Sequence, residues 1–349
     1  MIVVNARFLT QKLTGVQRFA LEITKKLVNL RDDIILVSPK NIINKQVARD
    51  LNVQTYGWLK GHLWEQFELP IFLKKHDNPL LLNLANTAPL NYENMVVTIH
   101  DLAVFRYPQA FSWKFQKYYR FVLPRIAGKS RKIFTVSNFS KGEIIKLFGI
   151  KSEKIEVIYN AVSTEIACNN VNSEREKFIL TVSSLDPRKN LSKLIEAFKK
   201  LELKEYKLII AGAKSSVFKS IDAPENSERI EFLGHVRNKE LSELYIRASL
   251  FVYPSLYEGF GIPPLEAMKC GCPVVVSDIP PHREVCGEAA LYVNPFNIED
   301  IRNGIQKVLR NRNLWGELSM KGQERAKFFS WIESARKVNE IIDALTSQK

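Results

Sequence analysis

Short apolar runs alternate with amphipathic helical patterns along the whole chain, and this alternation constrains the fold more than any other feature. In the first half the runs are MIVVNA, DIILVSP, PLLLNLA, MVVTIHD, KIFTVSN and KIEVIYN; in the second they are FILTVSS, YKLIIAGA, IEFLGHV, LFVYPS, PVVVSD and AALYVNP. Helical periods lie between them. In VQRFALEITKKLVNL, Phe19, Ile23, Leu27 and Leu30 share a face; SKGEIIKLFGI ends near Gly149; in LSKLIEAFKKL, Leu191, Leu194, Ile195 and Phe198 recur at helical spacing. Short strands alternating with helices imply βαβ units and a parallel sheet. The stretch STEIACNNVNSEREK is polar and aperiodic and reads as a linker. The closing SWIESARKVNEIIDAL is one more amphipathic helix, with Ile332, Val338, Ile341, Ile342 and Leu345 as apolar candidates. The expected layout is an α/β domain over residues 1–163, a second over 164–330 and a helix over 331–349. Ligands of open α/β sheets sit at the carboxyl ends of the strands, so two such sheets facing one another place the expected site in the cleft between them.

With 349 residues, two domains of ordinary size fit comfortably. Hydrophobic residues make up 46% and charged residues 25%, the profile of a soluble globular chain. No apolar run reaches the roughly 18 residues of a membrane span. The N-terminus reads as a first strand rather than a signal peptide, which makes a cytoplasmic protein the simplest expectation. Cys168, Cys270, Cys272 and Cys286 match neither a zinc ribbon nor a C-x-x-C redox pair, and four reduced thiols are expected. The net charge of +14 is uneven: residues 1–160 hold 24 Lys+Arg against 12 Asp+Glu, and residues 161–349 hold 27 against 25. A basic first half suits nucleic acid, an anionic membrane surface or a phosphate-bearing substrate. The stacking platforms and basic motifs of RNA-binding modules are not recognisable, which sets nucleic acid aside. Neither half carries G-x-G-x-x-G after its first strand, which disfavours a standard dinucleotide site.

The chemistry concentrates in SLYEGFGIPPLEAMKCGCPVVVSD. Glu258 and Glu266 flank a turn built from Gly259, Phe260, Gly261, Ile262 and two prolines. A helix expected to open at the prolines and to stop at Gly271 would hold Glu266 in its first turn. Its N-terminus gathers unpaired N–H groups and suits a diphosphate, and Gly259 and Gly261 let backbone approach a ligand. Carboxylates beside that point accept bonds from hydroxyls, so the pattern describes a nucleotide sugar. In TVSSLDPRKNLSKLIEAF, Arg188 and Lys189 sit on a loop at the carboxyl end of a strand, where paired cations bind phosphate oxygens. In VVTIHDLAVF, His100 and Asp101 follow a buried strand of the first half. The stretch FSWKFQKYYRFVLPRIAGKSRK, residues 111–132, mixes Trp113, Phe115, Tyr118, Tyr119 and Phe121 with Lys114, Lys117, Arg120 and Arg125, and suits a membrane interface.

Taken together, EGFGIPPLE with its E-x7-E spacing, AMKCGCPVVVSD, TGVQRF, TVSNFSKGEI, KIEVIYNAV, LDPRKNLSKLIEAF and FLGHV resemble the retaining nucleotide-sugar glycosyltransferases of the GT-B fold, in the family called GT4. The resemblance runs over nearly the whole chain. It implies two Rossmann-like α/β domains with parallel sheets facing across a cleft, the C-terminal helix returning to the N-terminal, acceptor-side domain. It implies that Glu266 binds the donor ribose and that Glu258 lies by the donor sugar beside Gly259, Phe260, Gly261 and Ile262. Arg188 and Lys189 would hold the diphosphate, and His100 would lie near the reaction centre. Gly15 would let the first loop approach the phosphates, and His235 and Val236 would approach the base. Ser183–Ser184 stand where many relatives carry Gly-Arg, which leaves the exact role of Arg188 open, and Asn160–Ala161–Val162 stand for the common N-G-V. No D-x-D triplet occurs, so no metal and no other cofactor is expected. The expected partners are a nucleotide-sugar donor (GDP-mannose first), a lipid-linked or saccharide acceptor of surface polysaccharide assembly, and an anionic membrane surface bound through residues 111–132 from the cytoplasmic face. A UDP-hexose or deoxysugar donor, or a non-catalytic sugar-nucleotide binder on the same fold, is the alternative.

Overall fold

The computed structural model describes residues 1–168, 175–212 and 227–347, so residues 169–174 of the expected linker lie outside the described residues. The chain divides into two compact units: Met1–Leu102 with Lys117–Asn160 and Ser330–Lys349, and Ala103–Gln116 with Ala161–Phe329.

The first unit is built on β1 (Ile2–Asn5), β2 (Ile34–Ser38), β3 (Gln54–Thr55), β4 (Leu80–Asn83), β5 (Met95–Thr98), β6 (Lys132–Thr135) and β7 (Ile155–Val157). They form one sheet in the order β3-β2-β1-β4-β5-β6-β7, and every pairing is parallel. The second unit carries β8 (Glu176–Val182), β9 (Lys207–Ala211), β10 (Ile230–Gly234), β11 (Ala248–Tyr253), β12 (Val274–Ser277) and β13 (Ala290–Val293), in the parallel order β10-β9-β8-β11-β12-β13. Each apolar run read as a strand coincides with one of these; β3, two exposed residues, had no apolar signal. Strand order reverses between β1 and β4 in one sheet and between β8 and β11 in the other. Ligands of open parallel sheets bind outside the carboxyl ends of the strands at such reversals.

Helix Gly15–Leu27 buries Phe19, Ile23 and Leu27. Leu30 was expected on the same face, but the helix ends before it and it is exposed. The C-terminal helix Trp331–Thr346 belongs to the first unit and packs on Gly15–Leu27, with Trp331 edge-on to Phe19 at 6.0 Å. Val338, Ile342 and Leu345 are buried there, while Ile332 is exposed, because the buried stripe runs through its neighbour Trp331. Each large side chain buried in this way stabilises by roughly 1.5–3 kcal/mol. In the second unit Leu191, Leu194 and Phe198 of helix Leu191–Lys199 pack with Ile179, Leu208, Leu250 and Val275 of the sheet.

The expectation of four free thiols fails at one pair. Cys168 and Cys270 form a disulfide, with Cα atoms 4.9 Å apart. Lys269 donates from Nζ to the carbonyl of Ile166 (3.1 Å) and so holds the two segments together. Cys272 and Cys286 are free and buried.

Candidate functional site at the strand reversal of the second unit

The loops leaving β8 and β11 meet at the reversal of the second sheet. After β8 the chain makes a short 3-10 turn, Pro187–Lys189, and Asn190 follows in the left-handed region at φ 59°. Its side-chain amide donates to the carbonyls of Pro254 (3.1 Å) and Pro295 (2.7 Å), and Leu256 N–H donates to the carbonyl of Arg188 (2.7 Å). These bonds fasten the two loops together. Lys189 Nζ then reaches Glu258 Oε1 at 2.6 Å and the Tyr253 hydroxyl at 2.8 Å. The Glu258 and Lys189 side chains are only 12% and 13% exposed, so each charge depends on the other. Burial raises the Glu258 pKa, but the Lys189 ammonium outweighs it and the net shift is downward. Burial lowers that of Lys189, the Glu258 charge outweighs it, and the net shift is upward. Arg188 is buried and forks onto Asp186 (Nε–Oδ2 3.0 Å, Nη2–Oδ2 2.5 Å), with its guanidinium 5.0 Å from the Phe111 ring centre. Both cations therefore carry carboxylate partners.

Helix Ile262–Lys269 begins at Ile262, earlier than the prolines suggested, because Gly261 caps it at φ 106°, in the region that favours glycine. Glu266 is consequently in the second turn, not the first. It is buried and accepts from the Tyr245 hydroxyl at 3.0 Å. Burial first, then the Glu266 charge, raises the Tyr245 phenol well above its ordinary value and keeps it a donor.

His282 went unnoticed in the sequence. It lies on helix Pro280–Cys286, after β12, and is fully buried. Its Nδ1 bonds the carbonyl of Ser277 at 3.0 Å, so Nδ1 carries the proton and Nε2 is an unprotonated acceptor. Nε2 has no hydrogen-bond partner among the described residues, and a Cβ on Gly261 would stand 3.6 Å from it. Burial lowers the His282 pKa to about 4, which keeps the ring neutral beside the Glu258 charge. A histidine soon after a buried strand was the available signal, and SDIPPHREV contains it.

Two family models match consecutive parts of the chain: Glycosyltransferase Family 4 over residues 13–166 and Glycosyl transferases group 1 over residues 163–327. The O-antigen chain mannosyltransferase RfbU of Salmonella typhimurium is 34% identical over 78% of this chain and 76% of its own length. The chain belongs to the family 4, group 1 glycosyltransferases. The O-antigen chain mannosyltransferase B of Escherichia coli is 29% identical over 91% of this chain and 93% of its own. Among solved structures, Anabaena Alr3699/HepE in complex with UDP-glucose aligns at TM-score 0.74 and 17% identity, covering 98% of this chain and 99% of that one. WaaG, a glycosyltransferase involved in lipopolysaccharide biosynthesis, aligns at 0.70 and 16% identity, covering 98% and 99%. At such identity the likeness carries the fold, GT-B. The protein is thus a glycosyltransferase enzyme of two Rossmann-like domains.

The other anticipated residues of this glycosyltransferase sit as follows. His100 is buried past β5; its Nε2 donates to the carbonyl of Leu84 (3.0 Å), its ring meets Phe19 edge-on at 4.9 Å, and burial lowers its pKa to about 4. Gly15 is the exposed first residue of helix Gly15–Leu27, capped by Thr14 and Gln17. His235 and Val236 follow Gly234 at the end of β10, where His235 is exposed. Among the described residues no group of three or more His, Cys, Asp or Glu is placed to hold a metal ion, and no helix is long and apolar enough to cross a membrane.

Proposed function

We propose that the protein is a retaining hexosyltransferase that moves mannose from GDP-mannose to a lipid-linked saccharide in O-antigen-type assembly at a membrane surface. The observation that carries this reading is the Glu258–Lys189 pair, held beside the capped start of helix Ile262–Lys269 at the strand reversal of the second sheet. Glu258 orients a sugar hydroxyl there, with the backbone of Gly259, Phe260, Gly261 and Ile262 beside it. Glu266 takes the ribose. Lys189 and Arg188 face the diphosphate and stabilise the charge of the leaving group. His235 and Val236 approach the base, Gly15 and His100 contribute from the first unit, and the domains divide at residue 163. The C1–O bond to the diphosphate breaks, the acceptor oxygen bonds C1 on the same face, and the acceptor proton passes to the leaving phosphate oxygen. No side chain acts as nucleophile, and no metal takes part.

The choice of mannose rests on the relatives' names, the membrane on the basic aromatic helix Trp113–Lys129. Thermal-shift titration in excess EDTA against GDP-mannose, UDP-glucose and dTDP-rhamnose tests the donor, because stabilisation by a bound ligand rises with the logarithm of its concentration over Kd. GDP-mannose is expected to raise Tm most and to be consumed when an acceptor extract is added. A larger shift with another sugar nucleotide replaces the donor. No shift with any defeats the reading, and activity abolished by EDTA but restored by Mg²⁺ defeats metal independence. Stabilisation without turnover would favour a sugar-nucleotide binder.

A further inference from the structure

The carboxyl ends of β12 and β13 open a recess that the donor reading does not use. The two strands leave the sheet together. Tyr292 pairs with Val276 and Val293 with Ser277, and Asp278 N–H still donates to the carbonyl of Val293 (2.8 Å). Beyond that bond the two loops part around a cavity of about 370 Å³. That is the size of a small-molecule site. One wall is Asp278 and Tyr292, both fixed by Arg283, whose guanidinium forks onto Asp278 (2.7 and 2.9 Å) and lies 3.7 Å from the Tyr292 ring centre. The other wall is the loop 294–296. Asp300 Oδ2 accepts from Asn294 N–H (2.7 Å), and Asn294 Oδ1 accepts from Phe296 N–H (2.9 Å). Asn190, which ties Pro295 to Pro254, braces this loop against the one that leaves β11 and carries Glu258. Neighbouring strands run about 4.8 Å apart, so the recess stands roughly 5–10 Å to the side of the β11 loop.

The groups left over define what fits. Phe296 is 65% exposed, an aromatic face held at the mouth of the recess by the bond to its own N–H. The Asn294 amide N–H groups and Asp300 Oδ1 bond to no described residue, which leaves donors and an acceptor side by side. Two carboxylates stand there against the single guanidinium of Arg283, so the recess repels a phosphate. An uncharged hexose matches each group. Its C–H face lies on the Phe296 ring, and its hydroxyls donate to Asp300 and accept from Asn294.

We propose that the recess between the β12 and β13 loops is a second saccharide site, holding a non-reacting, uncharged hexose unit of a saccharide chain beside the transfer site. The inference rests on the transferase reading for its ligand class alone. Phe296, Asn294 and Asp300 bind that unit and take no part in bond making.

Saturation-transfer NMR of the full-length protein against mannotriose and maltotriose tests the proposal. At least one of the two binds the wild type. Phe296→Ala removes the aromatic face, and Asn294→Asp keeps Oδ1 for the Phe296 N–H but lacks the amide donors; each weakens saccharide binding tenfold or more. Tm shifts induced by the sugar nucleotide that stabilises the wild type, measured on the same samples, stay at wild-type size in both variants and show them folded with the donor turn intact. Equal saccharide binding by wild type and variants overturns the proposal, as does no saccharide binding by wild type. Loss of the nucleotide shift together with saccharide binding also overturns it, because the loop then serves the donor turn. Absent nucleotide shifts in the wild type overturn the donor reading instead, and the saccharide arm is then scored by its binding alone.

Discussion

At the residue scale, the two glutamates of the E-x7-E motif differ in what they leave behind when removed. Glu258 neutralises Lys189, a cation 69 residues away in the chain, whereas Glu266 is held by the hydroxyl of Tyr245, 21 residues away. On the proposed reading, Glu258→Gln removes a charge aimed at the transferring sugar, and kcat is expected to fall about 10²–10³-fold, the usual loss of one preorganised electrostatic group. On the same proposal, Glu266→Ala removes a charged hydrogen-bond acceptor for the ribose, worth about 1.5–3 kcal/mol, and is expected to raise the donor KM about 10–100-fold with a smaller change in kcat. Steady-state kinetics with varied donor separates the two, and wild-type constants in both variants would sink the site. Both glutamates were legible in the sequence because one short motif contains them. Their partners were not. Asp186 lies inside LDPRKNL but gains meaning only once Arg188 folds back on it, and Tyr245, Tyr253 and His282 reach the site from other strands and helices, a long-range fact that no local spacing encodes.

At the element scale, the strands other than β3 were readable because most of their residues are buried among neighbours and apolar. Helix starts were harder. Gly261 opens its helix from a left-handed conformation, and the prolines, which suit the first helical positions generally, concealed the start at Ile262. The segment Gly61–Lys75 escaped notice altogether, because the π-turn at Trp64–Glu68 interrupts the 3.6-residue period. It exposes Leu63, Phe67 and Ile71, four residues apart, beside helix Trp113–Lys129, whose Tyr118 ring lies tilted against His62 at 4.3 Å. In that helix the tyrosines turn inward, while Trp113, Lys114, Lys117, Arg120, Phe121 and Arg125 are exposed. An apolar row edged by cations suits an anionic bilayer surface. Flotation with phosphatidylglycerol vesicles is expected to carry the wild type to the top fraction at low salt, and the Lys114→Gln, Lys117→Gln, Arg120→Gln, Arg125→Gln variant to remain at the bottom. Equal flotation would remove this helix from the membrane account.

At the scale of the whole molecule, each unit holds one buried neutral histidine, and together they set the response to acid. The sequence marked His100 only as a residue at a strand end and missed His282. The burial that makes them matter belongs to the packed molecule. Burial depresses both from the ordinary 6.5 to about 4. Above the unfolded pKa neither state is protonated, and the stability that goes with the neutral buried rings is fully present. As pH falls below 6.5 the unfolded chain takes up protons first, so stability is lost progressively toward pH 4. Glu65 and Glu258 have depressed pKa values too, and their contributions persist above the ordinary carboxylate range, fading only at lower pH. Between pH 7 and pH 5 the histidines therefore dominate, at about 2 kcal/mol each. Calorimetric unfolding at pH 7, 6 and 5 is expected to show Tm falling in steps. His282→Gln, which cannot titrate, is expected to flatten the response of the second unit while leaving that of the first. A Tm independent of pH over this interval would mean that neither ring is buried in its neutral form, and would remove the argument for His282 Nε2 as an acceptor beside Glu258.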